Sequence, residues 1–78
     1  MRQSFSFPAS SHLGSAEYET GDPEKGVPPV LTIAWKRGGA GSYTGVPQEV
    51  VDRLREAAEP GKVLNAEIKN QYTYQKLA

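Results

Sequence analysis

The sequence predicts an α+β domain in which an antiparallel meander sheet of three to four strands is packed by one main helix and a short second helix. Three observations predict this fold. Apolar and polar residues alternate over residues 30–37. A glycine-rich turn at 38–41 leads into a returning strand. Apolar residues then recur at helical spacing over 47–58. With 78 residues, the chain has room for one domain.

Composition limits the classes of function. The chain has no cysteine and one histidine, His12, so we expect no disulfide, no metal site and no cofactor. Nine basic residues balance nine acidic ones, which argues against a strong electrostatic grip on nucleic acid. The longest apolar stretch, 30–35, is far shorter than the roughly 20 residues that span a bilayer. We expect a soluble cytoplasmic protein without a membrane partner.

The N-terminal segment, residues 1–9, has two interpretations. Phe5 and Phe7 alternate with serines, which favours a strand, and Pro8 would confine that strand to an edge of the sheet. A flexible lead-in is the alternative. Residues 10–78 are expected to form the single domain.

The sheet begins at residues 11–20, where Ala16 and Tyr18 share one face. Leu13 is out of register with them, which predicts a bulge near Gly14. A loop rich in glycine and proline follows at 21–29.

The strongest strand signal is 30–37. Leu31, Ile33 and Trp35 alternate along it, which predicts that Trp35 is buried in the core. The sequence GGAG at 38–41 favours a hairpin turn, because glycine accepts positive φ angles. The returning strand, 42–46, carries Tyr43.

The main helix is predicted at 47–58, with a proline in its first turn and a buried stripe of Val50, Leu54, Ala57 and Ala58. Pro60 and Gly61 end it. Residues 62–70 are interpreted as the second helix, and residues 72–77 alternate as a further strand would.

This order of elements resembles the KTSC domain family over about residues 10–77. The matching residues are Ser10, Ser11, Leu13, Tyr18, Leu31, Ile33, Trp35, Tyr43, Val46, Pro47, Val50, Leu54, Ala57, Gly61, Asn65, Ile68, Lys69, Tyr72 and Tyr74. The chain departs from the family pattern at Gly45, where a second central tyrosine is usual, and at Glu59, where a serine is usual. Such domains occur at the C-terminus of some lysyl-tRNA synthetases and as small bacterial or phage proteins. The resemblance therefore implies RNA binding as an expectation.

Catalytic patterns are weak. Glu17 with Glu19, and Glu49 with Asp52, are neighbouring carboxylates, but a chain of this size rarely encloses the cleft that paired carboxylates need. The glycines at 38–41 lead into a strand, whereas a phosphate-binding P-loop leads into a helix. We expect that the protein is not an enzyme.

One set of residues carries a binding hypothesis, since aromatic rings, cations and amides together hold single-stranded nucleic acid. The candidate residues are Lys36, Arg37, Tyr43, Lys62, Asn65, Lys69, Tyr72 and Tyr74. The alternative is that the tyrosines belong to the core and the cations are ordinary surface charge.

Three functions stay open. The first is a module that binds RNA or another single-stranded nucleic acid. The second is a protein-interaction module, such as a phage factor that docks on a host protein complex. The third is a homo-oligomer that binds a small ligand or nucleotide between its subunits.

Overall fold

The computed structural model describes residues 2–8 and 10–77, and it contains one antiparallel sheet in the order β1-β2-β3-β4-β5. Each strand pairs with its neighbours in sequence. The strands are β1 Arg2–Ser6, β2 Leu13–Glu19, β3 Val30–Trp35, β4 Ala40–Thr44 and β5 Thr73–Lys76. Met1 and Ala9, which belong to the predicted lead-in, and Ala78 lie outside the described residues.

The α+β class is confirmed, but the predicted number of three to four strands is wrong because both terminal alternating segments join the sheet. In β1, Phe5 is paired with Ala16 of β2 and packs against the core. Phe7 follows the strand and is buried, with its ring 5.3 Å from that of Phe5. Pro8 follows the end of β1, so it removes no hydrogen bond from the ladder.

The predicted bulge in β2 is confirmed. The register between β2 and β3 shifts between Leu13 and Ser15, with Gly14 at the irregularity. A Cβ at Gly14 would lie 3.0 Å from the carbonyl oxygen of Ala34, so the strands can approach there because glycine has no side chain. The bulge brings both Leu13 and Ala16 into the core, which a regular alternation would not do.

Two helical segments cover one face of the sheet. The main helix, α1, is Gln48–Glu56, and α2, Pro60–Val63, continues into a π-helical turn, Leu64–Ile68. The predicted stripe on α1 is partly wrong. Val51 joins Val50 and Leu54 in the core, whereas Ala57 is half-buried, because the helix ends at Glu56 and the backbone of Ala57 is extended.

The core lies between α1, the second helical segment and the inner face of the sheet. Leu31, Ile33 and Leu54 have no exposed surface. Tyr18 is 2% exposed, and its hydroxyl donates a 2.6 Å hydrogen bond to the carbonyl oxygen of Val46. Burial, with a smaller contribution from the Asp52 carboxylate, raises the pKa of Tyr18.

The outer face of the sheet is polar. One row across all five strands places small or polar side chains next to one another in register: Ser4, Glu17, Thr32, Ser42 and Gln75. In the part of the chain that the structure describes, no helix is long and apolar enough to cross a membrane.

Candidate functional site

A hollow of about 500 Å³ lies between the inner face of the sheet and the second helical segment. We call it the aromatic groove, because four aromatic side chains line it. These are Trp35 at the end of β3, Tyr43 on β4, Tyr72 before β5 and Tyr74 on β5. His12, Leu13, Gly61, Leu64, Asn65, Lys69 and Asn70 complete its wall.

The pairing of β4 with β5 places two of these rings side by side. Tyr43 and Tyr74 are direct partners in register, and their ring centroids are 5.0 Å apart with the planes tilted by 46°. Tyr43 is 5% exposed and belongs to the core, whereas Tyr74 is 46% exposed. The pair therefore has one ring anchored in the core and one ring facing solvent.

Gly41 makes room for the ring of Tyr74. Any Cβ at Gly41 would overlap the Tyr74 ring carbons and hydroxyl, so the ring lies directly against the backbone of β4. A side chain at position 41 would therefore require the Tyr74 ring to shift.

The groove tyrosine that is buried stays neutral at ordinary pH. Burial raises the pKa of Tyr43, and the neighbouring Tyr74 phenol adds to this effect. Like any tyrosine with a pKa of about 10 or above, Tyr43 carries no charge at neutral pH.

The second helical segment forms the opposite wall. Its regular hydrogen bonding gives way to a π-helical turn, in which the Lys69 N–H donates to the carbonyl oxygen of Leu64 at 2.7 Å. Asn70 then takes a left-handed conformation, with φ of 69°. Leu64 and Ile68 stay in the core, while Asn65, Lys69 and Asn70 line the groove.

The structure brings together five of the eight residues that the sequence indicated. Those that line the aromatic groove are Tyr43, Asn65, Lys69, Tyr72 and Tyr74. Three cations lie elsewhere. The Lys36 ammonium donates hydrogen bonds to the carbonyl oxygens of Pro8 and Ser10. Arg37 is exposed in the turn between β3 and β4. Lys62 forms a 2.9 Å ion pair with Glu59.

Two groove residues lie outside the predicted binding set: His12, which the sequence argument missed, and Trp35, which alternation assigns to the core. Alternation places Trp35 correctly on the inner face of β3, where it packs against the core. The prediction that it is buried in the core holds only in part, because Trp35 is the last residue of its strand and is half-buried at the edge of the core. His12 is exposed before β2, and its carbonyl oxygen accepts a 2.8 Å hydrogen bond from the N–H of Lys36.

The groove combines aromatic, amide and ammonium groups. Within residues 2–8 and 10–77, no cluster of three or more histidine, aspartate or glutamate side chains is placed to hold a metal ion. The groups that face the hollow can stack on a planar ligand, donate or accept hydrogen bonds through amides, and offer one ammonium charge.

Comparison with known proteins finds both a family model and similar solved structures. The family model of the KTSC domain matches residues 9–72. Among solved structures, the crystal structure of a KTSC domain protein from Yersinia pestis aligns over 100% of both chains with a TM-score of 0.77 and 24% sequence identity, a likeness that concerns the fold. None of the curated proteins matches the sequence.

Proposed function

This chain belongs to the KTSC domain family, and on that premise we propose that it binds single-stranded RNA, with nucleobases held in the aromatic groove. The observation that carries the proposal is the meeting of four aromatic side chains around one hollow of about 500 Å³. Buried aromatic rings alone would indicate a core. Here Trp35 and Tyr72 are half-buried and Tyr74 is exposed, so part of each ring is accessible to a ligand.

Stacking supplies the main part of the binding free energy. A base stacked on an aromatic side chain contributes about 1–3 kcal/mol, and the effect is tolerant of sequence because every base has a π-face. Trp35 and Tyr74 approach the groove from different strands, so they offer two separate stacking surfaces. The neutral Tyr43 phenol beneath Tyr74 keeps that part of the wall free of negative charge.

Polar groups on the helical wall supply hydrogen bonds to the base edges. Asn65 and Asn70 carry amides that can both donate and accept, which suits the Watson–Crick edges of unpaired bases. Lys69 places an ammonium at the same wall and can pair with a phosphate of the bound strand.

The charge distribution favours a modest affinity that depends on salt. The net charge is zero, so the protein has no general attraction for polyanions. Glutamates of the outer sheet face are paired with Arg2, at 3.8 Å from both Glu17 and Glu19. Glu67 is paired with Arg53 at 2.7 Å. We expect dissociation constants of about 10⁻⁴ to 10⁻⁶ M for a short strand at physiological salt.

The test is a fluorescence-anisotropy titration of a labelled single-stranded RNA of about eight nucleotides, a length within the usual site size of such modules. Trp35→Leu should weaken binding by about 5- to 150-fold, which corresponds to the loss of one stacked base. Phe5→Leu is the matched control, since Phe5 is also a half-buried aromatic but lies on β1. It should leave the affinity unchanged. Absence of binding by the unmodified protein, or equal effects of the two substitutions, would contradict the proposal.

Protein interaction is a second candidate, favoured by the edge strand β5. All four residues of β5 are exposed, and Leu77, which follows it, is 51% exposed. An exposed edge can accept a strand from another chain. A pull-down from lysate that gives a defined partner after nuclease treatment, and loses it with Gln75→Pro, would support this candidate; a partner lost on nuclease treatment would point back to RNA.

A further inference from the structure

A second recess, of about 310 Å³, adjoins the aromatic groove. The two hollows share His12, Gly61 and Asn65 in their walls. A ligand that enters one hollow therefore reaches the other by passing these three residues.

The second recess differs from the groove in its chemistry. The tryptophan and the three tyrosines of the groove do not line it; hydroxyl, imidazole, amide and charged groups do. Its polar side chains are Ser10, Ser11, His12, Glu59, Lys62 and Asn65. Aromatic rings stack on bases, whereas hydroxyl and ammonium groups donate hydrogen bonds to phosphate oxygens.

A local hydrogen-bond pattern fixes the segment that carries these hydroxyls. The Ser10 hydroxyl oxygen accepts the N–H of His12 at 3.2 Å and the N–H of Leu13 at 3.0 Å, and Ser10 is 9% exposed. This cap holds Ser11 and His12, which are exposed, at the opening of the recess.

Two ammonium groups flank the same segment. Lys36 donates to the carbonyl oxygen of Ser10, and Lys62 lines the recess from α2. The pair of Lys62 with Glu59 is an exposed surface ion pair, with side chains 80% and 66% accessible. Such a pair contributes little, so the Lys62 ammonium can exchange the carboxylate for a phosphate. Glu59 opposes an anion, so Lys62 and the hydroxyls, which line the recess, must outweigh it.

We propose that the second recess holds an internucleotide phosphate of the RNA strand whose bases lie in the aromatic groove, with Lys62 and Ser11 as its contacts. The proposal rests on the function proposed above. It gives the bound strand a path, from the ring-lined hollow past His12 and Asn65 into the recess beside Ser11.

The first test is the salt dependence of RNA affinity in Lys62→Gln, with Lys25→Gln as the matched control in the loop between β2 and β3. Lys62→Gln should weaken binding by about two- to fivefold. It should also flatten the slope of log affinity against log salt by about 0.7, the value for one lost phosphate contact on a single strand. Lys25→Gln should change neither quantity. Equal slopes for Lys62→Gln and the unmodified protein would overturn the proposal while RNA binding itself would stand.

The second test uses amide chemical shifts. Uridine, which has no phosphate, should shift groove amides such as those of Tyr74 and Lys69 and leave Ser11 and Lys62 unchanged, whereas the dinucleotide UpU should shift both sets. Shifts at Ser11 and Lys62 with inorganic phosphate as large as those with UpU would indicate a site for free anions and overturn the assignment to the strand. If no RNA shifts any groove amide, the proposed function fails first and this inference fails with it.

Discussion

Two tyrosines toward opposite ends of one cross-strand row on the inner sheet face, one on β2 and one on β5, have opposite environments. Beside α1, Tyr18 is 2% exposed and its hydroxyl is satisfied by the Val46 carbonyl oxygen. Beside the second helical segment, Tyr74 is 46% exposed and its ring lies across Gly41. An aromatic residue on the inner face of a strand thus belongs to the core at one end and to the wall of the open aromatic groove at the other.

The difference comes from the helical layer and not from the strands. The regular helix α1 contributes Val50, Val51 and Leu54 to the core, all of them at most 5% exposed. The four-residue α2 and the π-helical turn contribute Leu64 and Ile68, and their remaining side chains border a hollow. The irregular helix leaves a part of the sheet uncovered. The packed end should therefore determine stability, and the groove end should determine binding.

The largest expected effect is on stability at the packed end. Leu54→Ala removes a side chain with no exposed surface and should lower the free energy of unfolding by about 2–5 kcal/mol. For a domain of 78 residues, this is a large part of the total. Urea denaturation followed by circular dichroism measures it. A loss as small as that caused by Tyr74→Leu, at the groove end, would show that the two regions do not differ as described.

The next effect is on binding at the groove end. Tyr74→Leu should weaken RNA binding by about 5- to 150-fold, equivalent to about 1–3 kcal/mol for one stacked base. Gly41→Ala should weaken it too, because a Cβ displaces the Tyr74 ring. In a double-mutant cycle the two losses should not add, since both act through the same ring. Additive losses would show that Gly41 acts independently of Tyr74.

A smaller effect on stability is expected from Tyr18→Phe, which removes the hydrogen bond to Val46. The loss should be about 0.5–1.5 kcal/mol at neutral pH, with RNA affinity unchanged. Thermal unfolding and a titration on the same sample measure both quantities. A loss of affinity equal to that of Tyr74→Leu would show that the packed end also determines binding.

The same substitution has a signature at alkaline pH. Burial, and to a smaller extent Asp52, raises the pKa of Tyr18, so the folded state holds the phenol proton more tightly than the unfolded state does. The resulting stability is fully present below the usual tyrosine pKa of about 10 and is lost as the pH rises through that value toward the raised pKa. Tyr18→Phe should therefore lose less stability than the unmodified protein over this range. If the variant and the unmodified protein lost the same stability with rising pH, the alkaline loss could not be assigned to ionisation of Tyr18.

The smallest effect is electrostatic. Lys69→Gln should weaken RNA binding by about two- to fivefold and reduce the salt slope by about 0.7, without a measurable change in the unfolding midpoint. Lys25→Gln serves again as the surface control. A change in the unfolding midpoint would mean that Lys69 stabilises the π-helical turn through its side chain.

Much of the fold could be predicted because its signals are local. Alternation identified Leu31 and Ile33 as inner-face residues, and the phase change at Leu13 indicated the bulge. The number of strands could not be predicted, because a short alternating segment such as 2–6 becomes a strand only when a neighbour offers an open edge.

The candidate site was predictable in composition but not in shape. The tyrosines, Asn65 and Lys69 were indicated by residue type, and the structure places them in one groove. Trp35 was expected in the core, but it is half-buried and lines the groove. Periodicity gives the face of a strand on which a residue lies, and not how far the helical layer extends above it. Asn70 and the π-helical turn carry no signal in the spacing of apolar residues, which predicted a regular helix over 62–70.

The central claim, that the aromatic groove receives RNA bases, is tested most directly by the fluorescence of Trp35. It is the one tryptophan of the chain, and it lines the groove, so its emission reports on that hollow. Titration with an unlabelled single-stranded RNA of about eight nucleotides should quench the emission to saturation, with a midpoint that moves to higher RNA concentration as salt is added. Emission that stays unchanged while anisotropy shows the same RNA bound would place the bases elsewhere and contradict the account.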